Sequence, residues 1–124
     1  MTAGVPGEDL GTRSNAGSAV VPRGSGSGPT GAGAQVISQD TPDVLGAAEK
    51  GDLFGAAVHM GDADGDGRAD PAAGAPGENG SSGFVRSFRS GPATVVSPSG
   101  TTAFGASVLG TPAANGRIGS VFTY

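Results

Sequence analysis

Residues 74–88, GAPGENGSSGFVRSF, align without a gap on residues 110–124, GTPAANGRIGSVFTY. Gly74 falls on Gly110, Pro76 on Pro112, Asn79 on Asn115, Gly80 on Gly116, Gly83 on Gly119 and Val85 on Val121. The start of the chain, GVPGEDLGTRSNAGSAVV from Gly4, fits the same template with a longer loop. A second element also recurs, LFGAAV at 53–58 against AFGASV at 103–108. Self-similarity of this kind restricts the fold to neighbouring copies of one supersecondary unit that bury a shared core. The order is a partial unit, a full unit and a shortened unit.

Composition narrows the type of unit. The chain has 25 Gly and 9 Pro among 124 residues. They recur too often for a long helix, because each one costs helix stability. Val, Phe, Leu and Ile together supply under a fifth of the chain, close to the range of disordered proteins. A folded form therefore has to rely on close backbone packing and tight turns. Within the full unit, β-type runs near 55–60, 70–75, 83–89 and 93–97 alternate with Gly/Pro/Asn/Ser turns. Four strands per unit is the pattern of a β-propeller blade. Ala72, Ala73, Gly74 and Ala75 suit a strand pressed between neighbours.

The net charge of −4 comes from 7 basic and 11 acidic residues. There is no basic patch to neutralise phosphates, so nucleic-acid binding has no support. No apolar run approaches the length of a membrane-spanning helix. The chain has no Cys, which fits a reducing compartment or a secreted bacterial protein. Met1 leads straight into TAGVPGEDLG, without the pattern of a signal peptide.

Four carboxylates crowd into nine residues: Asp62, Asp64, Asp66 and Asp70 in the stretch DADGDGRAD. At alternate positions they repel one another unless a cation sits among them. A dense set of hard oxygen ligands suits Ca²⁺. Gly65 and Gly67 permit the sharp backbone, the carbonyl of Arg68 offers a further oxygen, and Asp70 can close the loop. Zn²⁺ is disfavoured without Cys or a second His. The loop is not an EF-hand, since the twelfth position from Asp62 is Ala73 and no helices flank it. The last acid comes at the ninth position, so the loop closes early enough to join two strands.

Other features have plainer explanations. GSGPTG at 26–31 matches a phosphate-loop spelling, but a strand rather than a helix follows, at AQVISQD, which marks a hairpin turn. His59 is the lone histidine and no nucleophile elbow occurs, so a Ser-His-Asp triad has no partner set. It is read as a structural residue beside the acidic loop, with an outer role at the metal as the alternative. Asn79-Gly80-Ser81 spells a glycosylation sequon. The aligned Asn115-Gly116-Arg117 does not, which favours a tight Asn-Gly turn. Phe84, Phe88, Phe122 and Tyr124 alternate on the matching runs and are assigned to packing.

The combination FG at 54–55, DADGDGRAD at 62–70 and GAP at 74–76 resembles the FG-GAP repeat. That repeat builds the integrin α-subunit N-terminal propeller and occurs in many secreted bacterial proteins. The resemblance implies an all-β fold of propeller-type blades, each of four antiparallel strands, about two in this chain. It implies Ca²⁺ held by Asp62, Asp64, Asp66, the Arg68 carbonyl and Asp70. Weaker copies of the two elements fall at Gly4–Pro6, Phe104–Gly105 and Gly110–Pro112. The units then divide as a partial blade at 1–52, a complete blade at 53–102 and a shortened blade without the calcium loop at 103–124. One departure from the pattern is Pro71, where the family has an aliphatic residue; Pro there should delay the strand or place it at an edge.

The function implied is a non-catalytic, calcium-binding repeat module of an extracellular or cell-surface protein, used for scaffolding, adhesion or ligand recognition. Its partner would be a protein or a carbohydrate, and two blades would pair with further copies or with neighbouring blades. Two alternatives are the propeller portion of a secreted hydrolase or esterase, and a truncated gene fragment without independent function. A nucleophile–base pair would mark the first, and loss of cooperative unfolding the second.

Overall fold

The computed structural model describes residues 1–44, 46–92 and 95–123. Among the described residues, seven strands form two antiparallel sheets. The first sheet has the order β1 (Ala3–Val5), β2 (Ser18–Ser25), β3 (Gly28–Ile37). The second has the order β4 (Ala57–Gly61), β5 (Asp70–Gly74), β6 (Phe84–Arg89), β7 (Ser97–Gly105). Within each sheet every strand pairs with its neighbour in sequence, as expected for propeller-type blades.

Among the described residues, helix is confined to two four-residue turns, α1 (Glu78–Ser81) and α2 (Ala106–Leu109). Within α1, Asn79 (φ 52°) and Gly80 (φ 65°) are both left-handed. That is the backbone of a tight Asn-Gly turn, as the repeated Asn-Gly pair predicts. The GSGPTG stretch is likewise a hairpin turn: Ser25 pairs with Gly28 and two residues make the reversal.

Three of the four strands expected in the full unit fall close to their predicted places. The fourth differs. Ala93 and Thr94 of the expected 93–97 strand lie outside the described residues, and β7 starts at Ser97 and continues to Gly105. It therefore runs past residue 102 and absorbs Phe104–Gly105, which pair with Val85 and Phe84 of β6. The reason is pairing: a strand of the middle blade gains a full ladder by continuing along β6. Pro71 sits inside β5, which starts one residue earlier, opposite Met60 of β4. The ladder to β6 begins only at Ala72, so proline's missing N–H delays β5 on one side alone.

The core lies between the sheets: Ala19, Val21 and Ile37 from the first, Ala73 and Phe88 from the second, with Val44, Phe54, Ala75 and Val96 from connections. Phe54 and Phe88 are fully buried and meet edge to face, with ring centroids 6.4 Å apart. Side-chain volume is scarce, so backbone contact fills the gap. A Cβ on Gly4 would lie 1.8 Å from the Gly55 carbonyl oxygen, and one on Gly74 would lie 1.9 Å from that of Gly119. Across the junction, the Gln35 side chain of β3 clamps Val96. Its amide donates to the Val96 carbonyl at 3.1 Å and accepts from the Val96 N–H at 2.5 Å.

Polar groups are also buried at this junction. Arg86 is 1 % exposed, lies 4.8 Å from the Phe84 ring centre and donates to the Thr101 hydroxyl at 3.1 Å. Gln39 donates to Glu78, and the Asp52 carboxylate accepts from the Glu49 N–H at 2.7 Å. Desolvation pushes both acids above their ordinary range.

Candidate metal centre

Residues 62–69 form the connection between β4 and β5. The two strands pair from Ala57–Gly74 out to Gly61–Asp70, so the ladder delivers both ends of the loop side by side. Gly65 (φ 79°) and Gly67 (φ 83°) are left-handed, which gives the loop the sharp backbone that these glycines permit.

Three of the predicted ligands come together. Asp62, Asp64 and Asp70 each place a carboxylate oxygen so that all lie within 4.8 Å of one another. Their arrangement is held by backbone N–H groups. Asp62 accepts from Gly65 at 2.7 Å and Gly67 at 3.0 Å, and Asp64 accepts from Asp66 at 3.2 Å. Asp70 is 3 % exposed and uses both oxygens: one accepts from Ala63 N–H at 3.0 Å and the other from Ser90 N–H at 2.8 Å. Asp70 is thus a strut as well as a candidate ligand.

Asp66 is turned elsewhere. Its carboxylate accepts from the Arg68 N–H at 2.8 Å and from the Arg68 guanidinium at 2.9 Å. Those two bonds, the backbone one first, hold its carboxyl below the ordinary carboxylate range.

Two contributors were not legible in the sequence. Arg89, at the end of β6, brings its guanidinium to 3.7 Å from Asp64. Ser90 donates through both its N–H, to Asp70, and its hydroxyl, to the Ala69 carbonyl at 2.6 Å. Nothing local marks either residue; the β5–β6 register carries them to the loop. His59 stacks obliquely on Phe122, with ring centroids 6.0 Å apart. Phe88 is a core residue and Phe84 packs against the core, while Tyr124 lies outside the described residues. Residues 120–123, which align on 84–87, have no strand pairing among the described residues.

The donor set is all oxygen and carries several negative charges, which fits a hard divalent cation and not a soft one. The close carboxylates repel one another, and backbone N–H groups, Arg68 and Arg89 offset part of that repulsion.

Residues 54–88, from the buried Phe54 through the acidic loop to Phe88 in β6, match the FG-GAP repeat family. No curated protein matches the chain.

Proposed function

The chain carries an FG-GAP repeat within an all-β, propeller-type fold, and from that premise we propose that it is a calcium-binding structural and recognition module. The observation that carries the proposal is the convergence of Asp62, Asp64 and Asp70 at the mouth of one β-hairpin. Asp66 and the Arg68 carbonyl complete the proposed ligand set. Bound Ca²⁺ would supply positive charge that offsets the carboxylate repulsion. The protein's part is to hold those oxygens close before the ion arrives, through the Gly65, Gly67, Ala63 and Ser90 N–H groups. Because Asp70 also ties the loop to the end of β6, ion binding would couple to the order of the whole blade.

The module is read as non-catalytic. FG-GAP repeats are typically non-catalytic, and the single histidine is engaged with Phe122 beside the loop. Its proposed place is outside the cell or at the cell surface, where calcium is abundant and where FG-GAP repeats occur. Among the described residues no helix is long and apolar enough to cross a membrane. The proposed role is adhesion or ligand recognition toward a protein or a carbohydrate.

The test is thermal unfolding followed by circular dichroism, with calcium and with excess chelator, joined to direct calcium titration by calorimetry. A cooperative β-type transition that moves upward with calcium supports the proposal. A calcium-independent transition with no heat of binding overturns it.

A further inference from the structure

The two connections that lead from one unit to the next fill their junctions differently. Phe54 makes a parallel bridge to Gly17, and Ile118 makes the same kind of bridge to Gly83. Ala19 pairs with Ile37, and Val85 pairs with Phe104. Ile37 and Phe104 are thus equivalent starts, and Phe54 and Ile118 are equivalent ends. Residues 38–53 lie between them in the first case and residues 105–117 in the second, three fewer. The first connection sends Gln39, Val44, Ala48 and Asp52 into the interior, each at most 8 % exposed. The second buries Ala106, and residues 107–117 all stay exposed. A shorter connection of outward-facing residues leaves its junction underfilled.

The space left is a cavity of ≈ 380 Å³ between α1 and β6 on one side and β7 and α2 on the other. That lies within the size of small-molecule sites, roughly 300–1,000 Å³. Its wall combines two kinds of surface. Asn79, Ser82 and Ser107 supply an amide and two hydroxyls, while Phe84, Ala103 and Val108 supply apolar area. Val108 belongs to this wall and is 71 % exposed. The polar groups keep capacity for a ligand. The Ser82 hydroxyl donates to the Asn79 carbonyl at 3.0 Å and remains an acceptor. The Asn79 amide gives one of its two N–H donors to Glu78 at 3.2 Å. Among the described residues no charged side chain lines the cavity. A charged ligand would lose hydration there without a partner for its charge, so the lining selects a neutral one. An amide and hydroxyls beside apolar walls match a molecule with hydroxyl groups on its rim and C–H groups on its faces.

We propose that this cavity holds a neutral sugar ring, either a free monosaccharide or the terminal unit of a glycan. The inference rests on the recognition half of the proposed function and does not draw on calcium. Asn79 and Ser82 sit on a turn that its own backbone fixes: Ser81 N–H donates to the Gly77 carbonyl and Gly83 N–H to the Glu78 carbonyl, both at 3.0 Å. Ser107 and Val108 sit on α2, which ends on the left-handed Gly110 (φ 64°). Short side chains on fixed turns lose little conformational freedom when a ligand binds, which favours recognition by a few well-placed groups.

The experiment follows the amide NMR signals of the ¹⁵N-labelled full chain during titration with methyl glycosides of neutral hexoses, pentoses and N-acetylhexosamines. At least one should move the Gly83, Phe84, Gly105 and Ser107 signals saturably. Ser107→Phe fills the cavity from an exposed position and should weaken that binding about tenfold or more, with thermal unfolding unchanged. Ser107→Ala removes one hydroxyl and should weaken it about three- to tenfold. The same sugar, free and as the terminus of an immobilised glycan, separates the two sources, and binding of either supports the proposal. Unmoved signals at these four amides with every probe overturn it. So does binding that Ser107→Phe leaves intact, or tighter binding of the corresponding uronic acid. Calcium titration of the same samples reads the acidic loop independently, so an empty cavity beside a working calcium loop overturns this site alone. Shifts confined to residues elsewhere overturn the cavity and spare the recognition reading.

Discussion

The Asp70 carboxylate accepts the backbone N–H of Ser90 at 2.8 Å, across twenty residues of chain. Its other oxygen accepts the Ala63 N–H at 3.0 Å. One buried side chain therefore joins the entry of the acidic loop to the exit of β6. Replacing it by Ala removes the acceptor for both donors. Asp70→Ala should cost about 3 kcal/mol in calcium-free buffer, since bonds to an ionised, buried acceptor are among the stronger ones. Chemical denaturation with chelator present measures this. A loss no larger than that of Asp66→Ala, whose carboxylate is exposed and faces Arg68, would contradict the strut role.

Calcium affinity should separate three of the acids. Asp62→Ala and Asp64→Ala remove carboxylates that already converge and should weaken binding about tenfold or more, each tenfold being about 1.4 kcal/mol. Asp66→Ala should weaken it less, because Asp66 is held by Arg68. Arg68→Ala keeps the backbone carbonyl, removes a positive charge beside the site and frees Asp66, so affinity should rise. Calorimetric titration of the four variants tests the order. At calcium a hundredfold above its dissociation constant, the wild type should gain about 2.7 kcal/mol.

The glycine contacts between units should tolerate no side chain. Gly74→Ala places a Cβ 1.9 Å from the Gly119 carbonyl oxygen, a backbone atom that cannot swing aside. The expected loss is about 3 kcal/mol or more, at the upper end of single-residue effects. Gly26→Ala, where an added Cβ meets nothing within 4 Å, should be close to neutral. Unfolding midpoints of the pair give the comparison.

The Asp52–Glu78 pair should leave a signature in the pH dependence of stability. Burial raises both carboxyls above their ordinary values of 3.8 and 4.5. The folded state therefore binds more protons than the unfolded state above about pH 4. Their contribution is fully present below the unfolded values and is lost as pH rises through the folded ones. Glu78→Gln should flatten the fall of stability from pH 4 upward. Denaturation curves at several pH values measure it, and an unchanged slope would remove the pair from the account.

Local chemistry made several elements readable before any tertiary contact was known. Gly65 and Gly67 permitted a sharp loop, Asn79-Gly80 favoured a tight turn, and strand-length runs between Gly/Pro clusters pointed to an all-β fold. The acidic loop was legible because charge repulsion at that density has few solutions. These are effects of neighbours in sequence, so sequence carries them.

Long-range pairing decided the rest. Which acids converge depends on the loop's own hydrogen bonds, and these turn Asp66 toward Arg68 and away from Asp62, Asp64 and Asp70. Ser90 and Arg89 reach the loop only through the β5–β6 register. The repeat offers the sharpest contrast. By spelling, Phe104–Gly105 copies Phe54–Gly55, yet Phe104 completes the ladder with Val85, and it is Ile118 that makes to Gly83 the parallel bridge that Phe54 makes to Gly17. Ile118 N–H donates to the Ser82 carbonyl and Gly119 is left-handed, while Phe104–Gly105 pairs along β6. Resemblance of letters is local, and the competition between two segments for one surface is settled only in three dimensions.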